Sequence, residues 1–172
     1  MIKIISGKYK NRKLKYFKYS NIRPTQARVK KSLFDSLKNI ENKKILDLFC
    51  GVGTLGIEAL SRGAASATFV DNNHKAIDIL KKNLTLLSIT KDNPIINYDV
   101  FKFLSNQTDT FDIIFADPPY NKFYFVDFLP YVKNFLNKGG VFCYETSRRE
   151  NYKDLDLKVK KYGNTKLLFW SN

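Results

Sequence analysis

From Lys44 onward, short continuous apolar runs alternate with stretches in which apolar residues recur every three or four positions. The first pattern suits strands buried on both faces, the second helices with one apolar stripe. Strands are expected at Ile45 to Phe49, Ala67 to Val70, Ile95 to Tyr98, the run ending at Ala116, and Val141 to Glu145. Between them, Thr54 to Arg62 reads as a helix closed by Gly63, and Ile77, Leu80, Leu84 and Leu87 share one stripe. A short helix is expected around Val100 to Leu104, and Phe125, Phe128, Leu129, Val132, Phe135 and Leu136 keep helical spacing. Pro130 should kink or split that last helix, because proline lacks the amide hydrogen and crowds the carbonyl one turn back. Asn137 to Gly140 should end it. Leu157 to Tyr162 and Lys166 to Trp170, about Gly163-Asn164, read as a closing antiparallel hairpin.

This alternation predicts an α/β fold, with a mostly parallel sheet of the seven strands just named, helices on both faces and a carboxy-terminal antiparallel hairpin. The amino terminus patterns differently. Ile2 to Ile5 and Arg12 to Phe17, separated by Gly7 and Asn11, read as a short hairpin or two edge strands. After Arg23-Pro24, Thr25 is the expected N-cap of a helix with Val29, Leu33, Leu37 and Ile40 on its apolar stripe. Lys30, Lys31 and Lys38 fall off that stripe; an ordinary solvated face is one reading of them and the favoured one for Lys38, while Lys30 and Lys31 also belong to the basic amino-terminal block. The expected organisation is one domain over residues 1–172, with a basic hairpin and helix extension at 1–40 and an α/β core at 41–172.

The chain has 172 residues, enough for a full core, and no run approaches the roughly 18 apolar residues of a membrane span. A soluble, cytoplasmic protein without a membrane partner is expected. The two cysteines, Cys50 and Cys143, lie far apart and read as reduced core thiols. With His74 the only histidine, a zinc site or a Ser-His-Asp triad has little to draw on. The net charge of +14 is unevenly spread: Met1 to Phe34 contains no Asp or Glu, and its lysines and arginines interleave with Tyr9, Tyr16, Phe17 and Tyr19. That one-signed block reads as a nucleic-acid face.

In an open parallel sheet, ligands bind at the carboxyl ends of the strands. That rule gathers Cys50 to Gly53, Asp71, Asp99 and Asp117 to Tyr120 along one rim. Gly51, Gly53 and Gly56 form a GxGxxG turn before the helix that starts at Thr54, and Asp71, with Asn72 beside it, follows at the end of the next strand, where an acid can hold ribose hydroxyls. These features suit a nicotinamide dinucleotide and S-adenosylmethionine alike. Asp47, placed beneath the loop, suits a positively charged ligand, and Asp99 with the backbone of Val100 can meet an adenine amino group; both tilt the reading toward S-adenosylmethionine. Asp99 also reads as a plain helix cap. Asp117-Pro118-Pro119-Tyr120 is a stiff turn that offers a carboxylate, carbonyl acceptors and an aromatic ring, a combination suited to an NH2 group on a flat ring.

These residues resemble the RsmD family of bacterial small-subunit rRNA guanine-N2 methyltransferases. The matching stretches are Ile5 to Leu14, Arg23-Pro24-Thr25 with Arg28-Val29 and Leu33-Phe34, Leu46 to Gly53 with Gly56, Glu58 to Ala64, and Asp117 to Tyr120. Asn11 stands in place of a glycine common in the first loop, and Lys31 where an acid is expected. The resemblance implies a class I S-adenosylmethionine-dependent methyltransferase of Rossmann-like fold, yielding S-adenosylhomocysteine and acting as a monomer on 16S rRNA or the assembling small subunit. Asp117, Pro118, Pro119 and Tyr120 are then the expected catalytic turn. Asp47, Gly51, Gly53, Thr54, Asp71, Asn72, Asp99 and Val100 are the expected cofactor site, and Arg12, Arg23, Thr25 and Arg28 the expected RNA contacts, with no metal. A DNA adenine-N6 or cytosine-N4 methyltransferase is the nearest alternative, followed by a hydride-transferring dehydrogenase and a non-catalytic RNA-binding module. Cys50 as a covalent nucleophile is disfavoured by its place inside the glycine loop.

Overall fold

The computed structural model describes residues 2–17, 27–37, 39–89, 92–106, 108–119, 122–147 and 155–171. At the amino terminus β1 (Ile2–Lys3) pairs antiparallel with β2 (Lys13–Leu14). The hairpin is present but shorter than its apolar pattern suggests. The Ile5 to Arg12 segment is folded into turns, with Lys10 N–H donating to the Gly7 carbonyl and Arg12 N–H to Tyr9. Beyond Leu14 the Lys15 backbone is taken by a side chain, Asn83.

Helix α1 (Ala27–Ser36) follows. It stops before Leu37 and Ile40, which are nonetheless buried. Lys30 belongs neither to a solvated face nor to an exposed basic block: it is buried on the inner side of α1 and ion-pairs with Glu58 at 3.1 Å. Lys31 does face solvent and pairs with Asp35 one turn on. Lys38 lies outside the described residues.

Strand and helix then alternate: β3 (Lys44–Leu48), α2 (Thr54–Ser61), β4 (Ser66–Asp71), α3 (His74–Leu86), β5 (Ile95–Asn97), α4 (Val100–Ser105), β6 (Phe111–Ala116), α5 (Phe125–Phe135), β7 (Leu136–Thr146), β8 (Lys158–Tyr162) and β9 (Thr165–Ser171). The main sheet has seven strands in the order β5-β4-β3-β6-β7-β9-β8, and β9 runs antiparallel to both neighbours. The predicted sheet is therefore found, with its last hairpin folded back so that β9 lies inside and β8 forms the edge.

Two expectations at α5 are corrected. Pro130 does not split the helix: it lies within α5 on the exposed face, where water can satisfy the carbonyl that has lost its partner. The glycines at 139 and 140 do not separate helix from strand: Leu136 already pairs with Phe111, and Val141 pairs with Ile113, so the residues between bulge from the ladder.

The sheet divides the interior into two apolar layers. Ile45, Phe69, Ile113 and Phe115 meet α1, α2, α3 and the amino-terminal hairpin. Leu46, Leu48, Ile114 and Phe142 meet α4 and α5. Strand alternation assigns neighbours on β3 to opposite layers, which puts Asp47 on the α2 side.

Candidate functional site

The chain order reverses between β3 and β6, which lie side by side with Leu48 opposite Ala116. At such a switch point the loops leaving two parallel strands diverge and open a crevice at their carboxyl ends. The Phe49 to Gly53 loop and the Asp117 turn therefore begin next to each other.

Backbone geometry shapes the loop. Phe49 (φ 56°), Gly51 (φ 53°) and Gly53 (φ 86°) all adopt the left-handed region, a conformation that leaves glycine unstrained. A methyl at Gly51 would meet nothing within 4 Å, so that face of the loop is open to a ligand. At Gly53 a methyl would stand 2.4 Å from Leu80 Cδ1, and at Gly56 2.3 Å from the Phe69 ring. These two glycines let α2 lie tight against α3 and the sheet. Thr54 opens α2.

Two carboxylates hold the loop. Asp47 is buried and accepts the Gly56 N–H at 2.8 Å, anchoring the first turn of α2 from below. Burial drives its pKa up to about 7; the Gly56 hydrogen bond opposes that rise, while the charges of Asp117 and Asp71 add to it. Asp71 accepts Gly51 N–H at 2.8 Å and Asn73 N–H at 2.8 Å, joining the loop to the start of α3. The exposed Asn72 lies between those anchors, and Asn73, not Asn72, caps α3.

Asp99 is the N-cap of α4, accepting the Lys102 N–H at 3.0 Å, with Val100 buried behind it. The cap reading is realised, and it fixes the Asp99 carboxylate at the rim. Beyond Ala116, Asp117 is half-buried, Pro118 buried and Pro119 exposed, and the Pro119 carbonyl accepts the Lys122 N–H at 3.4 Å. Tyr120, Arg23 and Thr25 lie outside the described residues.

Rings tie these rim segments together. Phe123, a few residues past Asp117, has its ring 5.5 Å from that of Phe49 and 5.2 Å from that of Phe101, which sits on α4. One aromatic cluster thus spans the glycine loop, the α4 start and the Asp117 turn. Its sequence signal was an aromatic residue a few positions beyond the end of each of three strands. Cys50 is buried and its thiol is pushed well up, first by burial and then by Asp47 and Asp71, which leaves it unsuited to nucleophilic attack.

Other buried polar groups carry no sign in the sequence pattern. Glu58 on α2 is fully buried and accepts from Ile5 N–H (2.8 Å), Ser6 N–H (3.0 Å) and Arg62 Nε (2.9 Å), besides its pair with Lys30. Lys30 Nζ also donates to the Lys3 carbonyl at 3.0 Å, and its pKa is lowered by burial despite Glu58. The helix that follows the glycine loop therefore docks the basic amino terminus. Asn83 on α3, also fully buried, accepts Lys15 N–H at 2.7 Å and donates to the carbonyls of Lys15 and Val52 at 3.1 Å each. Arg12 is exposed, and one guanidinium nitrogen donates to the Leu86 carbonyl at 3.1 Å. Arg28 is exposed on the first turn of α1.

A family model described as Conserved hypothetical protein 95 matches residues 2–171. A protein of Buchnera aphidicola subsp. Baizongia pistaciae named ribosomal RNA small subunit methyltransferase D is 44% identical over 121 residues, covering 69% of this chain and 61% of that relative. The uncharacterized methylase RP545 of Rickettsia prowazekii is 31% identical, covering 98% of this chain and 96% of its own length. Among solved structures, the yhhF protein of Escherichia coli superposes with a TM-score of 0.86 at 28% identity, covering 98% of this chain and 96% of that one.

Proposed function

The chain belongs to the RsmD family, described as Conserved hypothetical protein 95, and from that membership we propose that it is an S-adenosylmethionine-dependent methyltransferase acting on N2 of a guanine in 16S rRNA. The observation that carries the reading is the meeting of two loops at the β3/β6 switch point. One is a glycine loop with an open face, clasped by Asp47 and Asp71; the other is the Asp117-Pro118-Pro119 turn.

Gly51, Gly53 and Thr54 admit the cofactor, Asp71 and Asn72 hold its ribose, and Asp99 with the Val100 backbone meets its adenine. When bound, S-adenosylmethionine supplies a methyl group already activated on a sulfonium. An exocyclic amine is a poor nucleophile because its lone pair is delocalised into the ring. Asp117 accepts one amine hydrogen, the Pro118 carbonyl accepts the other and Tyr120 covers the base, which localises the lone pair and aligns the nitrogen. The base must leave its stack to reach this turn, so single-stranded or loop RNA is the substrate form. Arg12, Arg23, Thr25 and Arg28, within the basic segment 1–40, hold that RNA against the catalytic core at 41–172. The protein works in the cytoplasm as a monomer on 16S rRNA or the assembling small subunit. No helix among the described residues is long and apolar enough to cross a membrane.

Transfer of labelled methyl from S-adenosylmethionine to small-subunit particles, naked 16S rRNA and duplex DNA tests the reading. Label on a single guanine of the rRNA is expected. Label on DNA adenine or cytosine, which the same turn can also serve, would replace it with the alternative.

A further inference from the structure

We propose that the groove between the amino-terminal hairpin and α3 is a binding site for RNA backbone phosphates, formed by Lys15, Lys81 and Lys82; this rests on the reading of RNA as substrate. The groove has a volume of about 460 Å³, and among the described residues its lining also includes Asp78, Thr85 and Leu86. All three lysines are exposed, and among the described lining residues a single carboxylate, that of Asp78, stands against them. Arg12 and Lys13, both exposed, extend the positive surface along the hairpin. An open stripe of cations suits a regularly charged strand better than a small anion, which favours an enclosed site.

The groove is held at its base. Buried Asn83 clamps both the N–H and the carbonyl of Lys15. Its amide also donates to the carbonyl of Val52 in the glycine loop. Arg12 crosses to the Leu86 carbonyl and fastens the hairpin to the end of α3. A strand gripped at Lys15 is therefore registered against the cofactor loop through one buried side chain. Phosphate contacts of this kind fix position and register without reading sequence.

The test compares a triple variant, K15Q/K81Q/K82Q, with K133Q/K138Q/K158Q, which removes the same charge at exposed positions on α5, the following bulge and the β8 edge. The probe is poly(U) RNA, titrated between about 50 and 200 mM salt. With thermal midpoints unchanged, the groove variant should show a log-affinity against log-salt slope shallower by about 2, at roughly 0.7 for each phosphate that a lysine no longer neutralises. The control should move much less. In methyl transfer, the groove variant should raise KM for rRNA with little change in kcat. Equal weakening in both variants, or an unchanged slope in the groove variant, overturns the proposal. Failure of the wild-type protein to methylate any rRNA would instead overturn the substrate reading, and the poly(U) slopes report on the groove either way.

Discussion

Asp47 shows how a strand position sets the protonation of a carboxyl at a site. Its parity on β3 turns it beneath α2, and burial there makes ionisation unfavourable up to a pKa of about 7. The folded protein therefore keeps a proton that the unfolded chain releases near the ordinary value of 3.8. Its contribution to stability is full below that value and is lost as pH rises to about 7, with a slope of up to about 1.4 kcal/mol per pH unit. Asp47→Asn keeps an acceptor for the Gly56 N–H. Denaturant melts across that window should show weaker pH dependence in the variant than in the wild type; identical profiles would remove Asp47 as the source. At Asp117 the effect belongs to reaction rate: Asp117→Ala should lower kcat about 100-fold or more while RNA affinity stays near wild type. Unchanged transfer would end the proposed role of the turn.

At the scale of elements, α2 carries two duties on one short helix. Its start is shaped by the glycine loop, and its inner face presents Glu58 to the hairpin and to α1. Removing one member of a buried, hydrogen-bonded charge cluster costs about 3–5 kcal/mol, because the rest stays buried without compensation. Glu58→Ala is expected to fall in that range and to speed hydrogen exchange at the Ile5 and Ser6 amides. Lys30→Met should cost less, since Arg62 and the two amides remain on Glu58. Exchange at Ile5 and Ser6 as slow as in wild type in the Glu58 variant would show that the hairpin docks without help from Glu58. Lys30 defeats the sequence pattern for a plain reason: periodicity marks lysine as polar and cannot see an acid on another helix. Pro130 defeats it for the converse reason, since its cost depends on whether the orphaned carbonyl faces water.

Across the whole molecule, Ile4 and Leu14 of the hairpin share an apolar layer with α1, α2, α3 and the sheet. Deleting residues 1–17 should therefore lower the calorimetric midpoint by at least about 5 °C as well as weaken RNA binding. An unchanged midpoint would mark the segment as a separable arm. The strands and helices along the chain, and the rim on which Asp71, Asp99 and Asp117 collect, were legible from the sequence, because buried parallel strands and amphipathic helices have different hydrophobic periods and ligands of an open parallel sheet bind at the carboxyl ends of its strands. The order of the strands in the sheet, and with it the β3/β6 switch point, was decided by tertiary pairing. Glycine spacing and the double proline showed where the backbone must turn. Tertiary structure alone decided which polar side chains went inside. Glu58 with Lys30, and Asn83 with Lys15 and Val52, are pairs separated by 28 or more positions. No local pattern encodes such a meeting, since each partner is satisfied only once two layers have packed and water has been excluded between them.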